Sequence, residues 1–216
     1  ADLLAPGMVV GLPWGTTVAA TIDAFEGPGP AGVRVVQLVG VLGSSSHTYN
    51  GQALVEQLAR RLGGEGVYLY TPFIVENADA VRLLLDNPEI RRAIEVGRQC
   101  DVALLGLGTT EPDTSSLYQG GHITLETLDA LRSAGAVGDI SGYHFDIDGN
   151  MLDISFHRHL VGIALGDLLR IPARLGVAGG PSKVRPVLGA LRGGLINLLV
   201  TDSVTAARAL ELDAAP

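Results

Sequence analysis

Four glycine-rich segments carry the side chains best suited to hold a small ligand. The first is Gly11–Thr17, with the sequence GLPWGTT, and it separates a strand-like stretch from a helix-like one. Glycine lets the backbone approach a ligand closely, and the free amides at a helix start attract anions. Trp14, Gly15, Thr16 and Thr17 are therefore candidates for a ligand site, although such a turn can also serve only as a helix cap.

The second segment is Val177–Lys183, VAGGPSK, again between a strand-like and a helix-like stretch. Pro181 suits the first turn of a helix, which puts Lys183, the only lysine of the chain, near the positive helix end. A cation gains nothing from the helix dipole there, so a bound anion explains its position. An exposed lysine that only aids solubility is the alternative.

The third segment is Gly40–His47, GVLGSSSH, which is followed by Asn50. After Gly43, the hydroxyls of Ser44, Ser45 and Ser46 and the side-chain amide of Asn50 could match the hydroxyls of a sugar. A flexible polar loop is the alternative interpretation.

The fourth segment is Gly106–Pro112, GLGTTEP, in which Gly108 and Thr109 are candidates for ligand contact. The third glycine of a dinucleotide-binding fingerprint is absent, so this segment predicts no dinucleotide site. Further along, Asp146 lies in an acidic stretch and is a candidate acceptor for sugar hydroxyls, with a simple turn aspartate as the alternative.

Metal binding is not predicted. Asp146 and Asp148 resemble part of a calcium loop, but Ser155 stands where the terminal glutamate belongs. His157 and His159 have no carboxylate or cysteine at a spacing that would complete a zinc site. The sequence predicts no cofactor either.

Composition limits the function classes. The chain has 216 residues, 47% of them hydrophobic, with 29 glycines and a net charge of −8. A nucleic-acid surface needs clustered cations, and here the arginines are scattered, so we expect no DNA contact by this chain itself. No apolar run reaches the roughly 20 residues of a membrane span. Cys100 stands alone, which excludes an internal disulfide and predicts a cytoplasmic protein.

The elements that position these segments alternate along the chain. Strands are predicted over Met8–Leu12, Val33–Leu42, Val67–Tyr70, Asp101–Leu107, Arg174–Ala178 and Leu195–Thr201. Helices are predicted over Thr16–Phe25, Gln52–Leu62, Ala78–Leu85, Pro88–Arg98, Leu125–Ala134, Ser182–Arg192 and Ser203–Leu212. This order predicts an α/β fold, a mainly parallel, Rossmann-like sheet with helices on both faces. Ligands of such sheets bind at the carboxyl ends of the strands, where the four glycine-rich segments fall.

Taken together, these segments resemble the effector-binding domain of the SorC family of bacterial transcriptional regulators. The matching stretches, in family order, are 7–18, 36–45, 101–109, 134–149 and 176–202. The last is the most specific, because its glycine, lysine and arginine pattern is long and ungapped. The resemblance implies a fold similar to glucosamine-6-phosphate deaminase, ribose-5-phosphate isomerase and CoA-transferases.

The resemblance also implies a sugar or sugar phosphate ligand. By motif position, phosphate would be held by Gly15, Thr16, Thr17 and Lys183, with 43–45 and Asn50 nearby, and the sugar by Gly108, Thr109 and Asp146. Family members carry an N-terminal helix-turn-helix region, and nothing in residues 1–216 has that pattern. We therefore expect one effector-binding domain over 1–216, DNA binding only through a region absent from it, and a homodimer or homotetramer.

Three function classes remain open on the sequence. A regulator's sensing domain, without catalysis, is favoured. A sugar-phosphate isomerase or deaminase on the same fold is the alternative, because that chemistry needs a poised acid or base and Glu111, Asp113, His144 and Asp146 are candidates. A purely structural oligomerisation domain predicts no response to any ligand.

Overall fold

A computed structural model describes residues 3–43 and 50–214. Its strands are β1 (Val9–Leu12), β2 (Arg34–Gln37), β3 (Glu65–Val67), β4 (Val102–Gly106), β5 (Gly138–Ile140), β6 (Tyr143–Phe145), β7 (Ala173–Val177) and β8 (Leu198–Val200). Its α-helices are α1 (Thr16–Asp23), α2 (Gly51–Leu62), α3 (Ala78–Leu85), α4 (Pro88–Arg98), α5 (Ser116–Gln119), α6 (Leu125–Ser133), α7 (Leu165–Leu168), α8 (Val184–Arg192) and α9 (Ser203–Asp213). Two 3₁₀ turns span Ser155–His159 and Pro181–Lys183.

Six strands form one parallel sheet in the order β3-β2-β1-β4-β7-β8. Successive side chains of a strand point to opposite faces. Val10 and Leu12 of β1 accordingly join the cluster that α1 and α2 cover, whereas Val9 joins the larger cluster on the other face. Val187 of α8 belongs to that larger cluster. The predicted α/β fold with helices on both faces is confirmed.

The predicted elements match with three larger differences in the strands. The strand predicted over Leu195–Thr201 is shorter, because β8 spans only Leu198–Val200. The strand predicted over Val67–Tyr70 shares only Val67 with β3, which spans Glu65–Val67. The strand predicted over Val33–Leu42 pairs within the sheet only from Arg34 to Gln37. Beyond that point the chain leaves the sheet and forms single bridges, Val39 with Gly162 and Val41 with Pro72, because its hydrogen-bond partners there come from loops.

A short antiparallel hairpin, β5–β6, was not predicted. Gly138 pairs with Phe145 and Ile140 with Tyr143. An isolated bridge between Leu107 and Ile140 attaches the hairpin to the chain just after β4. The hairpin therefore lies at the carboxyl end of the central strands, where a ligand is expected. No helix within the described ranges is long and apolar enough to cross a membrane.

Candidate functional site

A cleft lies at the carboxyl ends of β1 and β4, the two strands at which the strand order reverses. From β1 the chain proceeds outward to β2 and β3, and from β4 outward in the other direction to β7 and β8. The loops that follow β1 and β4 therefore diverge and leave a crevice, the usual ligand site of such sheets. The empty space, counted out to its open mouth, is about 520 Å³. Its walls are formed by Pro13, Trp14, Gly15, Thr16, Thr17, Gly106, Leu107, Gly108, Ser116, Leu117, Asp139, Ser141, Gly142 and Lys183.

The first wall is the start of α1. Gly15 precedes the helix with φ 144°, a conformation that residues with a Cβ rarely adopt. No side chain of the described residues caps the amides of this first turn. Uncapped amides and the helix dipole favour an anion. Thr16 and Thr17 line the cleft at this point and add hydroxyl groups.

Lys183 supplies the only cation among the cleft residues. It follows Pro181 in the 3₁₀ turn after β7, and its Nζ donates a hydrogen bond of 2.6 Å to the carbonyl oxygen of Leu107, just beyond β4. Burial lowers the pKa of Lys183, and the nearby Asp139 carboxylate opposes that shift. The bond holds the ammonium across the cleft, between the loops of two neighbouring strands.

Asp139 supplies the only carboxylate among the cleft residues. It is 8% exposed, and its Oδ2 accepts a hydrogen bond of 3.0 Å from the backbone N–H of Gly142. Its own carbonyl accepts from the N–H of Gly108 at 2.8 Å. A Cβ at Gly108 would overlap the Asp139 carboxylate, so this position needs glycine. A carboxylate held in this way can accept hydrogen bonds from ligand hydroxyls.

Ser141 adds a buried hydroxyl to the same wall. It is 6% exposed, and its Oγ has no hydrogen-bond partner in the part of the chain that the structure describes. Its φ of 53° is the only positive value of a non-glycine residue there. Buried polar groups are rarely left unpaired, and residues with unusual backbone angles cluster at functional sites. A bound ligand would satisfy this hydroxyl.

Trp14 forms part of an aromatic wall. Its ring meets that of Phe73 edge to face, with 6.4 Å between centroids. Trp14 is partly buried and faces the cleft, so it presents apolar surface to a ligand.

The structure brings half of the predicted site residues together. Those at the cleft are Trp14, Gly15, Thr16, Thr17, Gly108 and Lys183. Thr109 is buried beside it, with Oγ1 accepting from the N–H of Glu111. Gly43 borders a separate pocket with Pro72, and Asn50 caps α2. Ser44 and Ser45 lie outside the described residues.

Asp146 lies away from the cleft, in the turn after β6. Its Oδ1 accepts from the N–H groups of Asp148 and Asn150, and its Oδ2 from the Asn150 side chain. These bonds lower the pKa of Asp146 although burial opposes them. Its carboxylate thus closes a turn, which was the alternative interpretation. The carboxylate at the cleft is instead that of Asp139, seven residues earlier. In the sequence, only the flanking glycines of GDISG mark this aspartate.

The candidate acids and bases of the isomerase alternative are scattered. Glu111 lies 3.9 Å from Arg132 on the surface. His144 is 1% exposed within the hairpin, and burial lowers its pKa. Within residues 3–43 and 50–214 no group of three metal-ligating side chains occurs. The cleft therefore offers one cation, one carboxylate, hydroxyls and free amides, a set suited to binding a polyol that carries an anionic group.

Known proteins are similar to this chain in sequence and in fold. Residues 1–211 match the family model described as "Putative sugar-binding domain". The chain is 35% identical over 208 residues to the deoxyribonucleoside regulator of Bacillus subtilis (strain 168), covering 96% of this chain and 65% of that protein. It is 36% identical over 141 residues to the transcriptional regulator LsrR of Escherichia coli O139:H28, covering 64% of this chain and 44% of that protein. The chain thus spans less than two thirds of either relative.

Among solved structures, the full-length sorbitol operon regulator SorC from Klebsiella pneumoniae superimposes with a TM-score of 0.86 and 25% identity. The match covers 96% of this chain and 67% of that one. Sequence and fold agree, and the chain belongs to the family of sugar-binding domains found in SorC- and DeoR-type transcriptional regulators.

Proposed function

We propose that the cleft binds a sugar phosphate, and that the domain senses this effector for a DNA-binding region of the same regulator. The observation that carries the proposal is the convergence of Lys183 and the uncapped start of α1 on one cleft. Lysine and exposed helix amides are both established binders of phosphate. One anionic group can engage both at once.

The two ends of the ligand are recognised by different walls. The phosphate lies against Gly15, Thr16, Thr17 and Lys183. The sugar hydroxyls donate to Asp139 and pair with Ser141, the one fixed carboxylate and the one unpaired buried hydroxyl of the cleft. Trp14 packs against the apolar face of the sugar.

The names of the relatives support a role in regulation. One is a deoxyribonucleoside regulator and another regulates a sorbitol operon. Effector binding shifts the equilibrium between two states of the regulator, and with it the DNA affinity of a region outside residues 1–216. The regulator acts in the cytoplasm as a homodimer or homotetramer.

Binding without turnover is favoured over isomerisation or deamination. Moving a proton between carbon atoms needs a base poised at the substrate. The described residues that line the cleft include no histidine, and the one carboxylate among them is held by the Gly142 amide. Aldose and ketose phosphates should remain unchanged when they are incubated with the protein. Turnover that is lost in Asp139→Asn would show that the protein is an enzyme.

A thermal-shift screen of free sugars, monophosphates and bisphosphates tests the proposal. A ligand at 100 times its dissociation constant stabilises the native state by about 2.7 kcal/mol, and each kcal/mol moves Tm by about 2–4 °C for a domain of this size. We expect a shift with a phosphosugar that disappears in Lys183→Ala. It should persist in Arg185→Ala, which removes an exposed cation outside the cleft. The absence of any shift, or equal shifts in both variants, contradicts the proposal.

A further inference from the structure

The ring of Phe73 contacts two walls of the cleft from within the core. It is 1% exposed and meets Trp14 edge to face, with 6.4 Å between ring centroids. The ring also lies against Gly142, where an added Cβ would come within 2.5 Å of its carbon Cζ. Trp14 and Gly142 both line the cleft. One buried side chain therefore supports both the wall at the start of α1 and the wall at the turn of the β5–β6 hairpin.

The backbone of Phe73 is fixed by hydrogen bonds to two other segments of the chain. Its N–H donates to the carbonyl oxygen of Val41 at 2.9 Å, and its own carbonyl oxygen accepts from the N–H of Val161 at 2.7 Å. Because a protein core is densely packed, the ring has little room to move. A change in the size of this side chain must therefore be accommodated by its neighbours, Trp14 and Gly142.

The groups that we assign to the two ends of the ligand both depend on these neighbours. Gly142 has φ 84°, and its N–H donates to Oδ2 of Asp139 at 3.0 Å. A displacement of Gly142 would therefore move the carboxylate that accepts from the sugar hydroxyls. Trp14 directly precedes Gly15 and the uncapped amides of α1, which hold the phosphate. Phe73 thus contacts the supports of both the phosphate site and the sugar site.

We propose that Phe73 is a positioning residue that sets the distance between these two sites, and with it the length of sugar phosphate that the cleft accepts. This inference rests on the proposed function. When the phosphate is held at the start of α1, the number of carbon atoms determines how far the sugar hydroxyls reach. Only a ligand of matching length contacts Asp139 as well, so a fixed spacing discriminates against shorter and longer sugars.

Calorimetric titration with three terminally phosphorylated sugars, erythrose 4-phosphate, ribose 5-phosphate and glucose 6-phosphate, tests this spacing. We expect wild type to prefer one length over the next by at least about tenfold, the discrimination that one carbon unit gives in a fitted pocket. In Phe73→Leu this preference should fall by at least about threefold, because the walls relax around the smaller side chain. Phe25→Leu is the control. It removes the same ring from a partly buried position in the other large core cluster and should keep the preference.

The results distinguish this inference from the proposed function. If the phosphosugars bind wild type without a preference for length, or with one that is unchanged in Phe73→Leu, the spacing role is wrong and phosphosugar binding stands. If none of the three binds wild type, both are contradicted. Phe73→Met retains most of the side-chain volume in a flexible form, and it provides the same comparison if Phe73→Leu fails to fold.

Fluorescence tests the contact without a ligand, because Trp14 is the only tryptophan of the chain. Loss of the Phe73 ring should expose Trp14, so acrylamide should quench its emission more strongly in Phe73→Leu than in wild type. Quenching in Phe25→Leu should equal that in wild type. Unchanged quenching in Phe73→Leu would show that Phe73 does not position Trp14, and it would overturn the proposal.

Discussion

Lys183 and Asp139 give the cleft one positive and one negative charge, each held by a hydrogen bond to the backbone. The ammonium donates to Leu107 and the carboxylate accepts from Gly142. Groups fixed in this way lose little entropy when a ligand binds, which favours affinity. The sequence was informative about Lys183, because it is the only lysine and follows a glycine pair. It was not informative about Asp139, because recognising that residue required the β5–β6 hairpin.

At the scale of single residues, Gly108→Ala should damage the cleft by displacing Asp139. The added Cβ overlaps the Asp139 carboxylate, so the aspartate must move and lose its bond to Gly142. We expect a loss of about 1–3 kcal/mol in the free energy of unfolding, measured by urea denaturation, and weaker sugar binding. Gly166→Ala is the control, because nothing lies within 4 Å of the Cβ that it adds. Equal effects of the two substitutions would contradict the close packing at Gly108.

His144 of the hairpin and His157 of the 3₁₀ turn Ser155–His159 predict a pH dependence of stability. His157 Nε2 accepts from the backbone N–H of His144 at 2.8 Å. Burial lowers the pKa of His157 to about 4, and the neighbouring His144 adds to the shift. Below the ordinary histidine pKa of about 6.5 the unfolded chain binds more protons than the folded one. The free energy of unfolding should therefore fall as pH decreases from about 6.5 towards 4.

Chemical denaturation at several pH values measures this dependence. In His157→Gln, whose amide oxygen can still accept from His144, the profile between pH 6.5 and 4 should be flatter. Burial also lowers the pKa values of His144 and His122, so part of the slope should remain. A profile identical to that of wild type would show that His157 is not protonated on unfolding.

At the scale of elements, α9 holds the loop that carries Lys183. Asp202 caps α9 by accepting from the N–H of Thr205, and its other oxygen accepts from the N–H of Gly180. Hydrogen bonds from the Thr205 side chain, the Thr205 backbone and the Gly180 backbone keep the pKa of Asp202 well below its ordinary value. One carboxylate thus joins the start of α9 to the loop after β7.

Removing this carboxylate should affect both stability and binding. Asp202→Ala is expected to lower Tm and to weaken phosphosugar affinity, because the Lys183 loop loses its support. Asn87→Ala is the matched control. It removes a cap of α4, where Asn87 accepts from the N–H groups of Glu89 and Ile90, away from the cleft. Calorimetric titration of both variants should show weaker binding only for Asp202→Ala, and unchanged affinity in both would exclude a role for α9.

Long periodic elements were predictable from the sequence, and short ones were not. The apolar strands and the amphipathic helices α2, α4 and α8 have patterns that extend over enough residues to be recognised. The hairpin strands β5 and β6 have three residues each, and they form because Ile140 bridges to Leu107, a contact distant in sequence. The predicted extension of β2 was wrong because loops supply the partners of residues 39 and 41.

At the scale of the whole molecule, strand order determines where the ligand lies. The strand order reverses between β1 and β4, and the loops with Thr16, Thr17 and Gly108 follow these two strands. Lys183 lies in the turn after the neighbouring strand β7, and Asp139 lies in β5 of the hairpin. The sequence indicated that glycine-rich loops would converge at this edge. It did not indicate which loops reach the cleft, and so it included Gly43 and Asn50, which lie elsewhere.

The most direct test of the account measures how much the ligand's phosphate depends on Lys183. The phosphosugar with the largest thermal shift and the same sugar without phosphate are titrated by calorimetry into wild type and Lys183→Ala. We predict that the phosphate improves affinity by more than about tenfold, or 1.4 kcal/mol, in wild type and by clearly less in the variant. If it contributes equally in both proteins, Lys183 does not bind the phosphate and the central claim is wrong.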